Sequence, residues 1–181
     1  MTRKSIRLSR VETSMNTSEV IQVEVKRQNG DLMTYEGIYV PPLTNAWTKR
    51  DHEIMLKETM NEMEKIVSRD KNVLMVGDFN CKEINWEERT CRGGENSWNN
   101  ILLSWAVENL LTQWIDCETR FRGSDNPSRL DLVFTSDPEC IETVSYECPL
   151  GKSDHVLIEI SLSGKRVELQ ENYKLERYRY N

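Results

Sequence analysis

Val73-Leu74-Met75-Val76-Gly77-Asp78-Phe79-Asn80 decides how this chain is read. A short, continuously apolar run ends on a glycine, a carboxylate, an aromatic ring and a carboxamide. Such a run bounded by turn residues reads as a strand buried on both faces. Its polar tip is where a rigid sheet can hold groups for chemistry. Upstream, a second strand is predicted over 32–40. It stops at Pro41-Pro42, because proline has no N–H to give to a sheet ladder. Between the two strands, over 47–70, Leu56, Met60, Met63 and Val67 recur at three- and four-residue spacing. That spacing predicts an amphipathic helix with this stripe on the core. Strand, helix and strand together make a β-α-β unit.

The rest of the chain adds strands to this unit. Residues 19–26 alternate, with Val20, Gln22 and Glu24 opposing Ile21, Val23 and Val25. Asn29-Gly30 then supplies the positive φ angles of a tight hairpin turn. Residues 81–96 are polar and turn-rich. A second helix is expected over 98–111, with Leu102, Ala106 and Leu110 on one face. Further strands are expected over 113–115, 130–134, 141–146 and 156–162. The tail, 163–181, is charged and Tyr-rich and reads as extended or loosely attached. Many strands with two interspersed helices predict an α/β protein of more than one layer.

With 181 residues the chain suits one domain with a sizeable core. It carries 24 Lys and Arg against 30 Asp and Glu, a net charge of −6. That balance argues against a broad electrostatic grip on nucleic acid, but a nuclease that concentrates carboxylates around a cation is compatible with it. The five cysteines form no C-x-x-C pair and only two histidines are present, which makes a zinc site a poor fit. They read as reduced thiols of an intracellular protein, nuclear or cytoplasmic. No stretch approaches the roughly 20 apolar residues of a membrane span. The basic start, Met1-Thr2-Arg3-Lys4, lacks the apolar segment of a signal peptide.

Three places could carry chemistry. Asp78 can orient or deprotonate a water, and Asn80, two positions on in extended backbone, can hydrogen-bond a phosphate oxygen. The same four residues also suit an ordinary turn. In Ser153-Asp154-His155 a carboxylate stands beside an imidazole, one able to bind metal and the other to handle a proton; a surface histidine is the plainer reading. Asp131 interrupts the apolar strand Leu130-Asp131-Leu132-Val133-Phe134. Either it faces solvent on an alternating strand, or it is buried against a partner, for which His155 is the candidate.

Taken in order, Tyr39-Val40-Pro41-Pro42, Gly77-Asp78-Phe79-Asn80, Ser128-Arg129-Leu130-Asp131-Leu132-Val133-Phe134 and Ser153-Asp154-His155 resemble the endonuclease/exonuclease/phosphatase superfamily. More narrowly, they are similar to the apurinic-endonuclease-like domain of non-LTR retrotransposons. The resemblance runs from about Glu19 to Leu162 and implies a four-layer α/β sandwich, two face-to-face β-sheets flanked by helices. It also implies Mg²⁺-dependent hydrolysis of DNA phosphodiester bonds, with Mn²⁺ as the alternative ion. In that frame Tyr39 contacts the scissile phosphate, Asp78 activates the water and Asn80 supports the developing charge. Asp131 pairs with His155, which binds the phosphate. Asp154 is a metal ligand and Thr119 a substrate contact. The tail resembles a linker toward a reverse transcriptase, so that 1–162 is the domain and 163–181 the linker.

The family's two leading motifs, an Asn and a metal-binding Glu on early strands, have no counterpart here, since Glu12, Glu19 and Glu24 stand in the wrong contexts. The expectation is therefore a domain incomplete at its N-terminus, with weakened metal binding and doubtful activity. A phosphatase of the same superfamily and a catalytically inactive remnant or binding module are the alternative readings.

Overall fold

The computed structural model describes residues 8–10, 17–26, 32–70 and 72–163. In chain order the elements are β1 (Leu8–Arg10), β2 (Glu19–Lys26), β3 (Leu32–Tyr39), α1 (Lys49–Arg69), β4 (Val73–Asp78), β5 (Ile84–Asn85) and β6 (Thr90–Cys91). Then come α2 (Trp98–Glu108), β7 (Thr112–Gln113), β8 (Asp131–Thr135), β9 (Ile141–Glu147) and β10 (Leu157–Leu162). The Asn29-Gly30 turn, Glu12 and residues 164–181 of the tail lie outside the described residues.

One mixed sheet organises the molecule, in the order β1-β2-β3-β4-β8-β7. The β3-α1-β4 unit is parallel, as its sequence predicts, and β4 pairs antiparallel with β8. Thr48 caps α1 by accepting the Asp51 N–H at 3.1 Å, with Asp51 in the first turn and Arg69 in the last, both favourable to the helix dipole. Asp70 then turns extended and ends the helix.

Side-chain alternation along the central strands divides the apolar residues between two cores. Ile38, Val73, Met75, Leu132 and Phe134 face the helices, where Phe134 meets Phe79 and Trp86 edge-on at 5.4 Å. Met33, Leu74 and Val133 face the other way, against Ile141 and the partly buried Val144, Ile158 and Ile160 of the β9–β10 hairpin. Each such side chain is worth about 1.5–3 kcal/mol when fully buried. The molecule is thus an α/β sandwich in which two sheets pack face to face and helices cover the larger one. Among the described residues the second sheet has two strands.

Two helical expectations are corrected. The buried row of α1 is Met55, Thr59, Met63 and Ile66, while Leu56, Met60 and Val67 pack only at its margin. Polar Thr59 hides this row from a hydrophobicity pattern, yet its hydroxyl is satisfied by the Met55 carbonyl at 3.0 Å. Helix α2 ends at Glu108, and Leu110, expected on one helical face with Leu102 and Ala106, adopts φ 54° and is 85% exposed. The left-handed residue reverses the chain into β7 and turns its side chain to solvent.

Candidate functional site

The site begins with register. Tyr39 pairs with Asp78 across the parallel β3–β4 ladder, and Asp78 pairs with Asp131 across the antiparallel β4–β8 ladder. All three strands therefore bring a polar side chain to one end of the sheet. Gly77 makes this possible. A Cβ there would lie 1.8 Å from the Ile38 carbonyl oxygen, so only glycine lets β4 run this close to β3 just before the site.

Beyond Asp78 the backbone does not stay extended, as the expectation for Asn80 required. Asn80 has φ 47°, a left-handed conformation that asparagine tolerates. Its N–H donates to Asp78 Oδ1 at 3.0 Å, and its side-chain Nδ2 donates to the Val40 carbonyl at 2.8 Å. The turn is therefore clamped to the end of β3. One hydrogen of the amide remains beyond that bond.

His155 Nδ1 lies 2.7 Å from Asp131 Oδ2, so Asp131 faces a partner rather than open solvent. With its Nδ1–H donated to the carboxylate, the ring presents Nε2 outward. Burial, the chief cause, and the facing Asp131 push the Asp78 carboxyl up to about 6, against the opposing pull of the Asn80 N–H, His155 and Arg120. Tyr39 is 41% exposed at the same edge, and its hydroxyl is held above its usual range by burial and by the Asp78 and Glu19 charges. Asp78, Asp131 and His155 each offer one ligand atom, all within 4.8 Å of one another.

Two residues sit differently from the sequence expectation. Thr119 has no exposed surface with which to touch a substrate. Its Oγ1 accepts the N–H groups of Leu130 and Asp131 at 3.1 and 3.0 Å, and its carbonyl accepts the Val156 N–H at 2.9 Å. Thr119 thereby ties the start of β8 to the segment that carries His155. Asp154 stands outside the group of three. Its Oδ2 accepts from Arg120 Nε at 3.0 Å, while its Oδ1 is 3.9 Å from His155 Nε2. Arg120 is the residue that sequence reasoning missed. An arginine in a polar connection carries no signal of the carboxylate it will meet 34 positions on.

Comparison with known proteins places the chain in a family and a fold. A family model described as "Endonuclease-reverse transcriptase" matches residues 36–159. Among solved structures, the endonuclease domain of TRAS1, a telomere-specific non-LTR retrotransposon, superposes with a TM-score of 0.55 at 15% identity, over 83% of this chain and 65% of that one. A 3′ phosphatase, NExo, from Neisseria bound to product DNA hairpin gives 0.57 at 12% identity, over 79% and 65%. The catalytic domain of Xenopus laevis APE2 gives 0.54 at 13%, over 79% and 54%. The chain thus spans about two-thirds or less of the length of these structures, which share its fold. No curated protein matches the sequence.

Proposed function

This chain belongs to the endonuclease–reverse transcriptase family, and from that premise we propose that it hydrolyses phosphodiester bonds of DNA with a divalent cation. The observation that carries the reading is the convergence of Asp78, Asp131 and His155 at the end of three hydrogen-bonded strands. Two carboxylates held face to face, one of them with its proton affinity raised, are a donor set that a cation relieves. Asp78 and Asp131 would hold the ion, which when bound would neutralise phosphate charge and acidify a water. Mg²⁺ suits such oxygen donors, with Mn²⁺ as the alternative ion.

The chain's own groups divide the remaining work. The Tyr39 hydroxyl donates to a non-bridging phosphate oxygen. Asp78 orients the attacking water, and the free amide hydrogen of Asn80 meets the charge that develops on the phosphate. Asp131 fixes the His155 tautomer and supports its charged form, so that Nε2 can hold the phosphate. DNA is the partner, and a reverse transcriptase of the same polyprotein is the companion that the family description suggests. Among the described residues no helix is long and apolar enough to cross a membrane.

The test is nicking of supercoiled plasmid in Mn²⁺ or Mg²⁺, with and without chelator, beside His155→Ala. Chelator-sensitive nicking that drops by about 10²-fold or more in the variant supports the reading. Release of phosphate from a 3′-phosphorylated oligonucleotide without nicking shifts it to the phosphatase alternative. No turnover from a folded, cooperatively melting protein makes the chain an inactive remnant.

A further inference from the structure

The turn that presents Asp78 and Asn80 is held from the helix side as well. Trp98, the first residue of α2, donates its indole Nε1–H to the Phe79 carbonyl at 2.8 Å. Phe79 is fully buried, and its own N–H donates to the Leu130 carbonyl at 2.8 Å. The peptide group between Phe79 and Asn80 is thus fastened at both ends, its carbonyl by Trp98 and its N–H by Asp78 Oδ1 at 3.0 Å. Asn80 sits at φ 47°, a left-handed conformation that a residue with a side chain adopts at a cost. Rotating that one peptide by half a turn carries Asn80 to a negative φ and relieves the cost. The same rotation swings the Phe79 carbonyl toward the Asp78 carboxylate and breaks the bond from the Asn80 N–H. A donor on the carbonyl opposes the rotation, and the indole is that donor. Its place is fixed, since Ser97 caps α2 by accepting the Asn100 N–H at 3.3 Å and the Trp98 ring packs against the core.

We infer that Trp98 is a positioning residue of this site, whose indole N–H locks the Phe79–Asn80 peptide and so sets the aim of Asp78 and Asn80. It acts through the backbone of the turn and not on substrate. The catalytic consequence rests on the function proposed above. The lock itself is a property of the protein without substrate or metal.

Two variants separate the N–H from the ring. Trp98→Phe keeps an aromatic ring against the core and removes the donor. Trp98→His loses the outer ring but places an Nε2–H where the indole N–H stood. Hydrogen exchange of the full chain, read by NMR without metal or substrate, should show the Asn80 N–H exchanging about tenfold faster in Trp98→Phe, near the factor that one neutral hydrogen bond contributes. Trp98→His should stay within about threefold of wild type. The Ile101 N–H, bonded to the Ser97 carbonyl at 3.0 Å, reports on the start of α2 and should hold its rate in Trp98→Phe. In plasmid nicking, kcat should fall about tenfold in Trp98→Phe with KM within about twofold, and Trp98→His should recover most of it although it melts lower. Equal changes in the two variants, or changes that follow Tm, would show a packing role and overturn the inference. An unchanged Asn80 exchange rate in Trp98→Phe overturns it too, as does an untouched kcat beside an active wild type. Should Trp98→Phe melt without cooperativity, the benzothienyl analogue of tryptophan at position 98, which replaces the N–H by sulfur in nearly the same shape, takes its place. If wild type nicks DNA and the pattern fails, this inference alone falls. If wild type does not nick DNA, the proposed function falls, and the exchange rates still decide whether Trp98 locks the turn.

Discussion

Glu36 gives the sharpest prediction about stability. It lies in the middle of β3 on the face covered by α1, with no exposed surface, and neither carboxyl oxygen has a hydrogen-bond partner. Its cross-strand neighbour Gln22 is also buried, with an unpartnered Nε2. Burial, and next the Glu62 charge, push the Glu36 carboxyl from 4.5 up to about 8, with Arg69 opposing and Asp70 adding to the rise. At neutral pH the group is therefore a protonated acid, a form whose O–H and C=O complement a carboxamide. The folded state holds a proton that the unfolded chain releases above pH 4.5, so stability from this group is fully present below 4.5 and is lost as pH rises toward 8. Between pH 5 and pH 8 that loss comes to roughly 3–4 kcal/mol, at about 1.4 kcal/mol per unit of pKa difference. For a chain of this size it corresponds to a fall in Tm of about 10 °C. Glu36→Gln keeps the shape and removes the titration. Urea denaturation of both proteins at pH 5, 6.5 and 8 should show the variant gaining on wild type as pH rises and overtaking it by pH 8. Parallel curves across that range would refute the reasoning, because a carboxyl that titrates alike in both states contributes no slope.

Two further predictions concern the framework of the site. Gly77→Ala puts a Cβ 1.8 Å from the Ile38 carbonyl oxygen, and the strands must part to admit it; denaturant unfolding should show a loss above about 4 kcal/mol, and a loss under about 1 kcal/mol would disprove the close approach. Thr119→Val removes the hydroxyl that accepts the N–H groups of Leu130 and Asp131 and strands two buried donors. The cost should be about 2–4 kcal/mol by the same measurement, with Thr119→Ser recovering most of it, and equal losses in both variants would show that the hydroxyl is not what matters.

The parts of this molecule that its sequence announces are those governed by local spacing. The alternation over 19–26, the Pro41-Pro42 stop and the apolar run over 73–76 each dictate an element, and the parallel β3-α1-β4 unit follows from their order. Spacing fails where a residue's role depends on what lies across from it. Thr59 is polar in the pattern but buried in α1, because its hydroxyl closes on a carbonyl of its own helix. Asp131 is an interruption in a strand until the register sets it opposite Asp78 and the fold brings in His155. Thr119 and Arg120 are neighbours in sequence with opposite fates, one sealed beneath the site as an acceptor of backbone N–H groups and the other reaching out to Asp154. The same logic explains why the triplet Ser153-Asp154-His155 does not act as one unit. Its carboxylate and imidazole project from adjacent positions, so the imidazole can meet Asp131 while the carboxylate meets Arg120. Which of two adjacent polar groups turns toward Asp131 is decided by the partner each one finds, and both partners lie more than 20 residues upstream.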